Sequence, residues 1–231
     1  MSDRFVMLYG RNPVREALRA GRRPVGRVWA TETVAAEPWL AGAGVPVSVA
    51  PAQAIAERAG TQHHQGLCAE VGPYPYADAG GFLRAERPMI VVLDQVQDPQ
   101  NVGAIARSAE GAGATGLVLP RHRSAEVTPA VAKASAGAVE HLPIARVRNV
   151  ADYLLEAREH GCWSYGAAAD GRPYGEVDFS GGVVLVLGAE GEGLRPRVRE
   201  CCDELVSIPL RGEIESLNVS AAAAVLLYAV R

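Results

Sequence analysis

"GGVVLVLGAEGEGLRP", residues 181–196, sets five consecutive apolar residues directly before a loop with glycine at positions 188, 191 and 193. An unbroken apolar run of this length, bounded by glycines, fits a strand buried on both faces of a parallel sheet. Working outward, "MIVVLDQV" (89–96) and "GLVLP" (116–120) repeat the pattern, and "ELVSIPL" (204–210) adds another strand. Between them, "NVGAIARSAEGAG" (101–113) and "VADYLLEAREHG" (150–161) read as helices, and an alanine-rich helix closes the set. Strands alternating with helices predict an α/β domain with a mostly parallel sheet over 88–231.

The earlier part of the chain reads differently. "VMLYGRNPVREALRAG" (6–21) predicts a strand, a turn and a helix with Pro13 in its first turn. "VGRVWATE" (25–32), "VPVSVA" (45–50) and "QGLCAEV" (65–71) predict strands, and "PAQAIAERAG" (51–60) a helix opened by Pro51. This makes a small α/β unit over 1–72. The prolines and glycines of "GPYPYADAGGFLRAERP" (72–88) then predict an interdomain linker over 73–87.

A length of 231 residues suits one large domain or two small ones, and 48% hydrophobic with 21% charged residues suits a core-forming globular protein. The four cysteines form no Cys-x-x-Cys pair and fit a reduced cytosol, with Cys201 and Cys202 expected as structural thiols. No signal peptide opens the chain, and its longest apolar stretch falls short of a membrane span, so a cytoplasmic protein is expected. No metal-ligand cluster is visible. The net charge of −3 argues against a nucleic-acid partner, but its distribution does not. Residues 1–30 hold seven arginines (positions 4, 11, 15, 19, 22, 23 and 27) against Asp3 and Glu16. Such a cluster is either a solvated helix face or an electrostatic footprint for phosphates, with Arg11, Arg15, Arg22 and Arg23 the candidate contacts.

In open α/β sheets ligands gather at the carboxyl ends of strands. Three such ends carry unusual residues. In "DQVQDPQNVGAIARSAEGAG" (94–113) the stripe Val102, Ile105, Ala106 and Ala109 faces the core, while Arg107 lies off it with Gly103 one turn before. The loop from Gly188 to Gly193 is neither a dinucleotide fingerprint, since G-x-G-x-x-G read from Gly191 ends on Pro196, nor a Walker A loop, since no Gly-Lys-Ser/Thr occurs. In "SIPLRGEIESLNVS" (207–220), Ser216 and Asn218 bracket the start of the last helix. Those two residues are ordinary helix caps, and a charged, glycine-bearing loop leads into them.

Together these segments resemble the SpoU (TrmH-type) branch of the SPOUT RNA methyltransferases. The matching residues are Asn101 with Arg107 six positions on, then Gly188, Glu190 and Gly193, then 208–220 without a gap. The resemblance also covers "GRNPVREAL", "HHQGLCAEV" and "RSAEVTPAVAKASAGAVEHLPI", so it spans nearly the whole chain. It implies a C-terminal trefoil-knotted domain, a path otherwise nearly absent from proteins. It implies S-adenosylmethionine as cofactor, held by Gly188, Ile208, Leu217 and Gly193. It implies methyl transfer to a ribose 2′-hydroxyl of RNA, with Arg107 central and Asn101, Glu190, Ser216 and Asn218 positioning it and the ribose.

A homodimer is implied as well, with an N-terminal domain that selects the RNA. The subgroup acting on a guanosine of 23S ribosomal RNA matches best. The rival readings are methylation of tRNA or of another rRNA nucleotide, including the antibiotic-resistance type, and a non-catalytic RNA-binding ribosome-assembly factor. His63 and His64 are expected to pack or hydrogen-bond rather than touch RNA.

Overall fold

The computed structural model describes residues 5–214 and 216–230. Arg4, part of the arginine cluster, lies outside the described residues. The chain divides into two compact units, the first holding residues up to Pro75 together with Val127–His141, the second Tyr76–Glu126 and Leu142–Arg231.

In the first unit, β1 (Val6–Tyr9) leads into α1 (Arg11–Ala20), then β2 (Val25–Ala30), α2 (Glu32–Ala35) and α3 (Pro38–Ala41). β3 (Val47–Val49), α4 (Ala52–Ala59) and β4 (Leu67–Val71) complete the strand set. The sheet order is β1-β4-β2-β3, with β4 antiparallel to both neighbours and β2 parallel to β3. Val14 and Ala17 of α1 and Ile55 of α4 are buried with Leu8, Val28 and Leu67 of the sheet, as their spacing requires.

The second unit opens with α5 (Ala79–Leu83), whose Phe82 and Leu83 are buried, so part of the stretch read as linker is folded structure. β5 (Met89–Asp94), α6 (Pro99–Gly111) and β6 (Gly116–Pro120) follow. The chain then lends α7 (Pro129–Ala134) to the first unit before β7 (Ile144–Val147) and α8 (Val150–Glu159). β8 (Cys162–Pro173), β9 (Gly182–Gly188), α9 (Pro196–Cys201), β10 (Glu204–Ser207) and α10 (Val219–Ala229) complete it.

The six strands lie in the order β10-β8-β9-β5-β6-β7, every neighbouring pair parallel. The predicted parallel sheet is present, with β9 and β5 at its centre and Val183 through Leu187 buried on both faces. Removing each such side chain from water contributes about 1.5–3 kcal/mol. The parallel arrangement brings all six carboxyl ends to one edge, where the three loops singled out above emerge. No described helix is long and apolar enough to cross a membrane.

Candidate active site

β9 ends at Gly188, and the loop after it folds back tightly. The amides of Ala189 and Gly193 each donate to the other's carbonyl, at 3.1 and 2.9 Å. Gly191 and Gly193 have φ of 82° and 70°, the left-handed region where a side chain is strained. A Cβ on Gly188 would lie 2.2 Å from the carbonyl carbon of Gly193, and backbone cannot yield to it. The glycines are therefore dictated by the loop's own closure before any ligand is considered.

Asp94, at the end of the adjacent β5, anchors the far side of this loop. Fully buried, it accepts from the Arg195 amide at 2.9 Å and from the Arg195 guanidinium at 2.7 and 2.6 Å. A carboxylate so placed is stable only with such a partner. Neither residue was among the sequence candidates. The available signal was an aspartate closing an apolar strand, which must find a cation.

α6 opens on Asp98, whose side chain accepts from the Gln100 amide at 3.0 Å, with Pro99 in the first turn. This sets Asn101 in the first turn, 7% exposed, between two other loops. Its Nδ2 donates to Glu190 Oε2 at 3.2 Å, and its Oδ1 accepts from Asn218 Nδ2 at 3.0 Å. Asn218 caps α10, its Oδ1 accepting from the Ser220 amide at 2.9 Å and the Ser220 hydroxyl at 2.6 Å. The cap fixes both amides: once Asn218 Oδ1 serves α10, only its Nδ2 can face Asn101, and Asn101 must turn its own NH₂ to the carboxylate. One hydrogen-bonded chain joins all three loops.

Behind this chain lies a cavity of about 460 Å³. Gly188, Glu190, Gly193, Ile208, Ser216 and Leu217 line it, along with Ala167–Ala169 of β8 and Ala222 and Leu226 of α10. Every residue expected to hold a cofactor is in its wall. Arg107 is not. It is exposed on α6, two turns beyond Asn101, and among the described residues its side chain makes no hydrogen bond or ion pair.

The arginine cluster of the first unit is mostly engaged. Arg23 is buried: its guanidinium grips both oxygens of Glu140, itself 1% exposed, and donates to the Gly72 carbonyl at 3.3 Å. This removes Arg23 from the surface set: a charge can be buried only with a partner, and Glu140 supplies one from a distant part of the sequence. Arg11 pairs with Glu37 at 3.0 Å, while Arg15 and Arg22 lie over the rings of Trp39 and Tyr74, each at 5.9 Å. His64 is buried and accepts from the Gly66 amide at 3.0 Å, the hydrogen-bonding role expected of it. Burial pushes the Cys202 thiol up to about 12, aided by Asp203 and Cys201, which leaves it protonated. Among the described residues no group of three or more His, Cys, Asp or Glu could hold a metal ion.

Residues 88–228 match the SpoU rRNA Methylase family. The chain belongs to that family. Residues 7–77 match the RNA 2′-O ribose methyltransferase substrate-binding family. YacO of Bacillus subtilis, assigned to the TrmH family of tRNA/rRNA methyltransferases, is 36% identical over 242 residues, covering 100% of this chain and 96% of that one.

Among solved structures, the SpoU methyltransferase AviRb of Streptomyces viridochromogenes in complex with AdoMet is 27% identical, with a TM-score of 0.82 over 98% of this chain and 89% of that one. An AdoMet-bound rRNA methyltransferase of Sinorhizobium meliloti is 26% identical, with a TM-score of 0.82 over 99% and 87%. The SpoU architecture of the second unit, a six-stranded parallel sheet preceded in the chain by a substrate-binding domain, is thus shared along nearly the full length.

Proposed function

We propose that this chain transfers a methyl group from S-adenosylmethionine to a ribose 2′-hydroxyl of RNA, with a guanosine of 23S ribosomal RNA as the target. The observation that carries the reading is the Glu190–Asn101–Asn218 chain, which joins three loops, two of which wall one cavity. That cavity suits the cofactor: its volume falls in the range of small-molecule sites, its walls include Leu187, Ile208, Leu217 and Leu226 for a flat apolar base, and Glu190 and Ser216 offer polar partners. Gly188, Ile208, Leu217 and Gly193 would hold the cofactor, and residues 1–72 would hold the RNA, through Arg15 and Arg22 and through Arg11 once its exposed pair with Glu37 exchanges for phosphate.

When bound, the cofactor supplies a methyl group on a sulfonium, already reactive. What remains for the protein is to align the ribose oxygen and to offset the charge it gains as its proton passes to solvent water. A guanidinium stays protonated across the ordinary pH range and is a poor base. Arg107 therefore acts as a cation that grips the adjacent phosphate and stabilises the developing alkoxide. Its side chain has no partner among the described residues, which leaves its donor fork for RNA. Asn101, Glu190, Ser216 and Asn218 fix the loops that present ribose and cofactor to each other.

The knotted path and the homodimer belong to the same proposal. The dimer is supported by α10, which leaves Val225 and Tyr228 37% and 57% exposed. Such an enzyme works where ribosomal RNA is, in the cytoplasm. The test is incubation of the full-length protein with labelled S-adenosylmethionine and purified rRNA, followed by mapping of 2′-O-methyl groups. Incorporation at a 23S guanosine is expected; transfer only to tRNA would move the substrate, and no transfer by a protein that binds RNA would leave a binding factor.

A further inference from the structure

A concave surface rich in arginine lies beyond the site in the second unit. Two adjoining depressions, about 690 and 580 Å³, share Arg148, Asn149 and Asp152 in their walls. Together they are lined by six arginines (84, 121, 146, 148, 195 and 197) against the carboxylates of Asp78, Asp152 and Glu156. In a chain of net charge −3 this excess is local.

Several of these arginines are engaged. Arg197 pairs with Asp152 at 3.1 Å, Arg84 with Asp78 at 3.4 Å, Arg146 with Glu126 at 2.8 Å, and Arg195 with Asp94. Arg121 and Arg148 are different. Both are exposed, at the carboxyl ends of neighbouring β6 and β7, and among the described residues neither side chain has a hydrogen bond or ion pair. His122 and Arg123, also exposed, continue the same loop. Since Arg195 follows Gly193 by two residues, the depressions run up to the loop that walls the cofactor cavity.

We propose that this surface is a track for the RNA backbone, with Arg121 and Arg148 as phosphate contacts that lead the strand along the carboxyl edge of the sheet to the methylation site. The inference rests on the RNA methyltransferase reading. A guanidinium fork matches two phosphate oxygens at once, and exposed arginines without carboxylate partners are the ones free to exchange water for phosphate. Binding through the backbone also explains why the groove is built of charge, with few aromatic platforms for bases.

The experiment compares the full-length protein with Arg121→Gln/Arg148→Gln, using a labelled single-stranded RNA oligonucleotide and rRNA methylation in parallel. Losing two phosphate contacts should flatten the slope of log affinity against log salt by about 1.4, at about 0.7 per contact on a single strand. The KM for rRNA should rise about tenfold, with kcat, cofactor affinity and melting temperature unchanged, and Arg148→Glu should weaken RNA binding further. If the wild type methylates RNA but the double variant keeps slope and KM, the track is overturned and the enzyme stands. If the wild type transfers no methyl to RNA, the parent reading falls and takes the track with it. If the variant loses affinity only for phosphatidylserine vesicles and not for RNA, the surface serves a membrane and the proposal is wrong.

Discussion

The arginines of the two units look alike in composition and differ in what they touch. In the first unit Arg11, Arg19 and Arg23 are committed to Glu37, Glu16 and Glu140. In the second unit the side chains of Arg107, Arg121 and Arg148 have no hydrogen bond or ion pair among the described residues. A cation already neutralised by a carboxylate holds a fold together; one left in water is available to a phosphate. Counting arginines points to the first unit, whereas pairing singles out particular residues in each: Arg84, Arg146, Arg195 and Arg197 of the second unit are engaged, and exposed Arg27 of the first has no side-chain partner among the described residues.

The largest effect tests that division where it is sharpest. Arg23→Ala strips Glu140 of its counter-charge in a buried site, which costs about 3–5 kcal/mol. Arg11→Ala breaks an exposed pair and should cost no more than about 1 kcal/mol. Urea denaturation of both variants measures the contrast. Equal, small losses would show that Arg23 is as solvated as Arg11 and restore it to the surface set.

Arg107→Ala comes next. Removing a preorganised charge from the reacting oxygen lowers single-turnover transfer about 10²–10³-fold, roughly 2.7–4 kcal/mol. Cofactor affinity should not move, since Arg107 does not line the cavity. Arg107→Lys keeps the charge and loses the fork, so it should remain strongly impaired. Near-normal turnover in both variants would make Arg107 an ordinary surface residue.

Asn101→Ala sharpens the comparison from the other side, because it is a polar residue used internally. It removes the link between Asn218 Nδ2 and the Glu190 carboxylate, and because both residues are exposed to water the stability cost should be about 0.5–1.5 kcal/mol. Calorimetry should show weakened S-adenosylmethionine binding as the three loops separate. A bulky residue at Gly188 is a poorer probe, because even a Cβ there meets the Gly193 backbone and would unfold the loop.

Much of this was legible in the residues, and the failures have physical causes. The runs 183–187 and 89–94 read as strands because a strand buried on both faces must be apolar throughout. β8 was not read at all. Its "GAAADGRP" half has little strand propensity, because Gly166 and Gly171 admit Leu205 and Val206 too closely for any side chain, and Ala167–Ala169 leave space for the cavity. The loops of the site were visible as motifs, but their joining through Asn101 was not, since it spans 117 residues. Arg23 was misjudged for the same reason: its partner Glu140 also lies 117 residues away.

The smallest effect concerns Glu16, and it asks whether a partly buried charge of the first unit is spent on packing. Its Oε2 lies 2.7 Å from Nε2 of His141, in the segment lent by the later chain, and Arg19 donates to it at 3.1 Å. Burial opposes its ionisation, but the hydrogen bonds from His141 and Arg19 outweigh burial and hold its pKa below the usual 4.5. A carboxyl whose folded pKa is depressed contributes stability that is fully present above its unfolded pKa and is lost as pH falls through the folded one. Wild-type protein should therefore exceed Glu16→Gln in stability at pH 7, by less than about 1 kcal/mol given the solvent around Arg19 and His141. The gap should hold down to pH 4.5 and close below it, as the Glu16 carboxylate takes up its proton. Urea midpoints measured from pH 7 to pH 3 decide the matter. A gap that stays constant through the acid range would mean that Glu16 contributes shape and not charge, and its pairing with Arg19 and His141 would be incidental to the fold.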